Sequence, residues 1–129
     1  LKSLVKNNNL DKQIFILSAT PNITNIMSKS SIFALTSKTE CFPMVLLEAQ
    51  QAGLPIISYD CKYGPKNIIN HLSDGLLVLD QNIDDFANKL DLLIKDEGLR
   101  NKLRKNAVEN AKRFEENEIM KKWISLFEL

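Results

Sequence analysis

Of 129 residues only two are cysteine, Cys41 and Cys61, and both fall in predicted loops. Two are too few for a disulfide framework and point to a reducing cytoplasm rather than an extracellular setting. Lysine and arginine nearly balance aspartate and glutamate, for a net charge of +1. That leaves no large field for nucleic acid, which is not expected as a partner. No apolar run approaches the roughly 20 residues of a membrane span. No stretch has the form of a signal peptide. Internal repeats, low-complexity tracts and obvious linkers are also missing. What remains is an ordinary composition for one domain with a real core, 44% hydrophobic and 26% charged. Leu1 to Asn8 reads like the tail of a helix, so the chain is expected to be a piece of a larger protein.

Strand and helix signals alternate. The short apolar run Ile14-Phe15-Ile16-Leu17 has the length of a buried strand. A brief helix is expected around Ile23 to Ser28 after Pro21, then a strand from Ile32 to Thr36. Pro43 to Gln51 reads as a helix, because proline suits a first turn where its missing N–H has no partner to lose. Gly53 ends it. Leu54 to Ser58 is a third strand, Lys66 to Asn70 a short helix, and Gly75 to Leu79 a fourth strand. Apolar on both faces, these strands fit a parallel sheet covered on two sides.

The last third is helical. Ile83, Phe86, Ala87, Leu90, Leu93 and Ile94 follow helical spacing, as do Leu99, Leu103, Ala107, Ala111 and Phe114, and then Ile119, Met120, Trp123, Ile124 and Phe127. The expectation is an α/β fold, a Rossmann-like doubly wound parallel sheet of about four strands flanked by helices, with a helical C-terminal third. Ligands of such sheets bind beyond the carboxyl ends of the strands. Glu40, Asp60 and Cys61 fall on that edge.

The stretch from Glu40 to Glu48 carries most of the chemistry. Glu48 stands among Val45, Leu46, Leu47 and Ala49, and a charge buried there is costly unless something binds it. The helix opening at Pro43 presents backbone N–H groups from Met44 and Val45, a phosphate site that needs no basic side chain. Glu48 lies one turn further along, on the same face as Met44. Its carboxylate can accept two hydrogen bonds from a vicinal diol such as that of a ribose. Glu40, on the loop before the helix, can accept from hydroxyls of a second sugar. Diphosphate between ribose and hexose describes a nucleotide sugar. A glycosidase carboxylate pair fits poorly, since that chemistry places both carboxyls across one glycosidic bond.

A second candidate is the loop Lys62-Tyr63-Gly64-Pro65 leading into a short helix. Its backbone could line the donor, and Lys62 or Lys66 could meet phosphate; a plain connecting turn is the competing reading. His71, the only histidine, reads as a polar loop residue rather than a catalytic base. Asp74-Gly75 reads as a turn into the last strand. The basic run Arg100, Lys102, Arg104 and Lys105 has the spacing of a solvated helix face rather than a membrane patch.

Glu40 to Glu48 resembles the E-x7-E signature of retaining glycosyltransferases of family 4, which have the two-Rossmann-domain GT-B fold. The surroundings are similar too: Asn22-Ile23, Ala34 to Ser37, Phe42 to Ala49, Ala52 to Ser58, Gly64-Pro65, Ile68-Ile69 and Asp74-Gly75. The likeness runs over about residues 10 to 127. It implies that Glu40 contacts the transferred sugar as the catalytic carboxylate and Glu48 holds the ribose. It implies further that the backbone of Cys41, Phe42, Pro43, Met44 and Val45 faces sugar and diphosphate, with Lys62, Gly64 and Pro65 as a further donor loop. Transfer is with retention and needs no metal or other cofactor. Cys41 stands where the family has glycine, and a left-handed backbone there would strain a cysteine. Asn67 stands where the family has an acidic residue.

The resemblance makes residues 1–129 part of a C-terminal nucleotide-sugar-binding domain, one half of a GT-B architecture whose first strands and acceptor domain lie outside this chain. It implies an enzyme that transfers a sugar from a UDP-sugar, or else a GDP-sugar, to a glycan or lipid-linked acceptor in bacterial cell-surface polysaccharide or glycolipid synthesis. The setting is cytoplasmic or peripheral at the inner face of the membrane, and this piece alone is expected to be inactive. The alternatives are a non-catalytic nucleotide-sugar-binding module and a nucleotide-sugar epimerase on the same fold. The last helix of that fold crosses onto the partner domain, so Trp123 and Phe127 are expected to be exposed here, or to pair with a second copy.

Overall fold

The computed structural model describes residues 1–127. In chain order the elements are α1 (Lys2–Asn7), α2 (Ile23–Ser28), β1 (Phe33–Leu35), α3 (Met44–Gln51), β2 (Ile56–Asp60), α4 (Pro65–Ile68), β3 (Gly75–Leu79), α5 (Ile83–Lys95) and α6 (Glu97–Ala111). A 3-10 turn over Lys112–Phe114 leads into α7 (Glu116–Phe127). The three strands form one parallel sheet in the order β1-β2-β3, with Phe33 opposite Ile56 and Ile56 opposite Gly75.

The central strand explains the layering. Ile56, Ile57, Ser58 and Tyr59 are all buried, and successive side chains point to opposite faces. Ile56 joins Leu46, Leu47, Ala49, Leu54, Ile68 and Ile69 in the core under α3 and α4. Ile57 and Tyr59 join Leu76, Val78, Phe86, Leu93 and Leu103 under α5 and α6. The expected α/β fold, with helices on both faces of a parallel sheet, is present.

Local chemistry sets the helix ends. Asn82 caps α5, its side-chain oxygen accepting from the Asp85 N–H at 3.0 Å, and Asp96 caps α6 by accepting from Leu99 at 2.8 Å. At the end of α3, Gly53 takes φ +67°. Its N–H donates to the Gln50 carbonyl and that of Leu54 to the Ala49 carbonyl, the paired bonds of a Schellman end.

Four expectations need correction. Ile14 to Leu17 is not a strand: the run pairs with no neighbour, and Phe15 and Leu17 are 73% and 65% exposed. Its apolar character matched a buried strand, but a strand also needs a hydrogen-bonded partner, and none of the described residues supplies one. The sheet therefore has three strands, not four. The strand expected over Leu54–Ser58 lies two residues later, because the Schellman end and Pro55 consume the first positions. The helix expected over Lys66–Asn70 starts at Pro65 and stops at Ile68: Ile69 turns extended, and the next N–H, that of Asn70, donates to Asp74.

The basic run is also more than a solvated face. Arg100 Nη1 donates to the Leu93 and Ile94 carbonyls, both at 2.7 Å, closing the end of α5. Arg104 Nε donates to the Gly53 carbonyl at 2.7 Å, beyond the end of α3. Arg113 Nη2 donates to the Asn67 and Ile68 carbonyls at the end of α4. Arg100 and Arg113 meet carbonyls in the last turn of a helix, which the helix itself leaves unpaired, and Arg104 meets one just past a helix end. Lys102 and Lys105 remain exposed.

α7 buries none of its residues. Trp123 and Phe127 are 51% and 78% exposed, as expected, with their rings stacked at 5.8 Å. No helix among the described residues is long and apolar enough to cross a membrane.

Candidate functional site

Because the sheet is parallel, the carboxyl ends of β1, β2 and β3 share one edge. Three loops leave it: residues 36–43 after β1, 61–64 after β2, and the turn at Asp80-Gln81 after β3. Glu40 lies on the first, half-buried. Cys61 lies on the second, fully buried. Burial pushes the Cys61 thiol up, and the negative charges of Asp80, Glu40 and Asp60 push it the same way, against a lowering backbone hydrogen bond. Asp60 pairs with Leu79 in the sheet, so the second and third loops leave it side by side. One oxygen of Asp60, at the end of β2, is buried without a partner among the described residues.

The contact between the first two loops is close. A Cβ built on Gly64 would stand 2.9 Å from Pro43 Cδ and 3.1 Å from Glu40 Cβ. The structure thus seats the Lys62–Pro65 loop directly against the start of α3 and the first glutamate. Sequence spacing could not reveal this, since the segments are more than twenty residues apart.

α3 has two unlike ends. Its C-terminus is closed by the Schellman bonds and approached by Arg104. Its N-terminus, at Pro43 with φ −73° and ψ 90°, receives no side-chain cap. The first amides of the helix, those of Met44 and Val45, have no intrahelical acceptor and remain available to an anion.

Glu48 overturns one premise and keeps another. It is exposed, not embedded in the core, so burial cost does not explain it. The apolar neighbours that suggested burial (Leu46, Leu47 and Ala49) face inward, whereas Met44 and Glu48 share the outer face one turn apart. A carboxylate on that face can reach a ligand that covers the start of the helix.

Cys41 is exposed and does not take a left-handed backbone; the non-glycine residues that do are Asn9, Tyr63, Leu72 and Gln81. The strain feared for a cysteine in glycine's place is absent. Phe42 is half-exposed and meets Phe114 edge-on at 5.8 Å, tying the loop to the 3-10 turn. Thr39, Glu40, Cys41 and Phe42 line an open cleft of about 380 Å³. A larger cavity, about 700 Å³, lies between α1 and the 14–17 run, on segments that hold none of the candidate residues. Chemistry rather than size selects the smaller one.

Among the other candidates, Lys62 and Lys66 are exposed and Pro65 is buried as the first residue of α4. Lys62 Nζ stands 4.8 Å from the centroid of the Tyr63 ring. His71 is structural, its Nδ1 accepting the Leu77 N–H at 2.9 Å. Asp74 is buried at the turn into β3, accepting from the Asn70 N–H and side-chain amide at 2.8 and 2.7 Å. Burial pushes its carboxyl up, against the lowering effect of those bonds and of Arg113. No cluster of three histidine, cysteine, aspartate or glutamate side chains is placed to hold a metal among the described residues. Asp80 carries no motif that marks it in the sequence, and Tyr63, though part of the candidate loop, gives no local signal of its positive φ.

Residues 1–114 match the family model described as glycosyl transferases group 1. An exopolysaccharide phosphotransferase of Streptomyces coelicolor is 35% identical over 98% of this chain and 14% of its own length. The N,N'-diacetylbacillosaminyl-diphospho-undecaprenol alpha-1,3-N-acetylgalactosaminyltransferase of Campylobacter jejuni is 35% identical over 89% of this chain and 30% of its own. The chain thus spans less than a third of either relative. Among solved structures, a point mutant of S. aureus TarM superimposes with a TM-score of 0.89 at 26% identity, over 98% of this chain and 26% of TarM. That structure is a complex with fondaparinux, alpha-GlcNAc-glycerol and UDP.

Proposed function

The chain belongs to the glycosyl transferases group 1 family and has the fold of one part of a GT-B enzyme, and from that premise we propose that it forms the donor-binding half of a nucleotide-sugar-dependent glycosyltransferase. The observation that carries the reading is the uncapped start of α3 at the carboxyl edge of the sheet, with Glu40 just before it and the exposed Glu48 one turn along. The amides of Met44 and Val45 take the diphosphate. Glu48 accepts from the ribose hydroxyls. Glu40, above the cleft it shares with Cys41 and Phe42, accepts from the transferred sugar. Lys62 and the backbone around Gly64 and Pro65 close the site from the second loop.

In this reading catalysis rests on holding the donor and on stabilising the leaving diphosphate with fixed N–H dipoles. Transfer proceeds with retention and without a resident metal. Residues 1–129 serve as the C-terminal domain, and a partner domain of the same protein brings the acceptor. TarM with UDP favours a uridine donor. The Campylobacter relative, named for an undecaprenol-linked substrate, favours a lipid-linked or surface glycan and work at the inner face of the membrane.

The test is to incubate the full-length protein with a panel of UDP- and GDP-sugars and candidate acceptors, and to follow products by NMR. The expected result is transfer with the donor's anomeric configuration kept. Binding without turnover indicates a binding module, release of an epimerised sugar indicates an epimerase, and inverted product overturns the retaining assignment.

A further inference from the structure

Tyr63 is expensive where it stands. Its φ is +61°, in the region where a side chain crowds the backbone. Glycine would take the position without strain. Such strain persists where something beyond local preference requires the residue. Core packing does not require it, because the residue is 64% exposed. Its aromatic-face contact is the neighbouring Lys62 ammonium, 4.8 Å from the centroid.

The position of the ring limits what it can meet. The next residue, Gly64, is the one seated against Glu40 and Pro43, and Pro65 is buried at the head of α4. Tyr63 therefore directly precedes a residue seated against Glu40, on the loop that lines the cleft. Glu48, the residue assigned to the ribose, lies a helical turn further along α3. An exposed ring at the Glu40 end offers an apolar face to the C–H face of a pyranose.

We infer that Tyr63 is a positioning and sugar-discriminating residue: its ring, held out by a left-handed backbone, stacks on the hexose of the bound nucleotide sugar. The inference rests on the proposed donor site and adds the residue that reads the sugar.

The experiment compares full-length wild type with Tyr63→Gly, Tyr63→Asn and Tyr63→Phe. Glycine and asparagine both tolerate the left-handed backbone, so neither should lower Tm. The expected result for both is a donor KM raised about two- to twelvefold, the range of one aromatic contact. The Kd for the free nucleoside diphosphate stays within twofold, discrimination between hexose donors narrows, and Tyr63→Phe behaves as wild type. Unchanged donor KM and discrimination overturn the role of Tyr63 while leaving the donor site standing. A parallel loss of nucleoside diphosphate affinity overturns the assignment to the sugar. If wild type itself binds no nucleoside diphosphate, the underlying donor-site reading fails instead, and the inference with it.

Discussion

Gly64→Ala is expected to damage catalysis more than stability. The added Cβ would lie 2.9 Å from Pro43 Cδ and 3.1 Å from Glu40 Cβ, against ordinary contacts of 3.4 Å or more. Neither neighbour can swing away: one is part of a proline ring, the other is fixed to its backbone. Relief needs one loop to move by about half an ångström. Overpacking of this kind costs about 1–3 kcal/mol, and the low end applies because both segments are surface loops. Pro43 opens α3, so the same shift displaces the Met44 and Val45 amides and the Glu40 carboxylate together. Misplacing reacting groups by about 1 Å costs about a hundredfold in rate, so half that shift is worth about tenfold. The assay pairs thermal melts with kcat/KM for donor and acceptor on the full-length protein. The expected signature is a Tm lowered by a few degrees with kcat/KM down about tenfold. A lowered Tm with intact kcat/KM would refute the claim that this contact sets the geometry of the site.

Other consequences are open to simple tests. Thiol reagents should modify exposed Cys41 in the native protein and spare Cys61, which is buried and whose thiol is pushed up; a nucleoside diphosphate should slow the Cys41 reaction, and equal rates at the two cysteines would contradict the burial. The raised Asp74 carboxyl means that the folded state holds this proton more tightly than the unfolded one. Its contribution to stability is therefore complete below the ordinary aspartate range and is lost as pH rises through the higher folded value; Tm measured against pH should lose this component in Asp74→Asn. Arg104→Ala removes the donor to the Gly53 carbonyl and should cost about 1 kcal/mol in thermal melts without altering nucleotide affinity.

Much of the fold was legible because punctuation residues bound its elements. Pro43 and Gly53 bracket α3, Gly75 opens β3, and α5 shows its buried stripe through Phe86 and Leu93. The run at Ile14 to Leu17 misled because apolar residues signal burial only when a neighbouring strand exists, and a neighbour is not a local property. Glu48 misled in the opposite sense. Its neighbours in sequence are buried, but a helix turns about 100° per residue and puts it outside. The candidate site was legible as a motif and a helix start. Its tertiary half was not: Gly64 against Pro43, and Arg104 and Arg113 on carbonyls at the ends of α3 and α4, join residues far apart in the chain. The Tyr63 backbone was equally hidden, since nothing in the order Lys62-Tyr63-Gly64 assigns the positive φ to tyrosine rather than glycine.

We propose that the start of α3 and Glu48 hold a nucleoside diphosphate. Calorimetric titration of UDP and GDP into full-length wild type and Glu48→Ala tests it most directly. Hydrogen bonds to a charged group contribute about 1.5–3 kcal/mol, so losing them from a ribose should weaken binding by at least about tenfold. Glu48 is exposed, so Tm should not fall. Saturable binding by wild type that weakens tenfold or more in Glu48→Ala, at unchanged Tm, is the predicted result. Equal affinity in the two proteins, or no binding of either nucleotide to wild type, would contradict it.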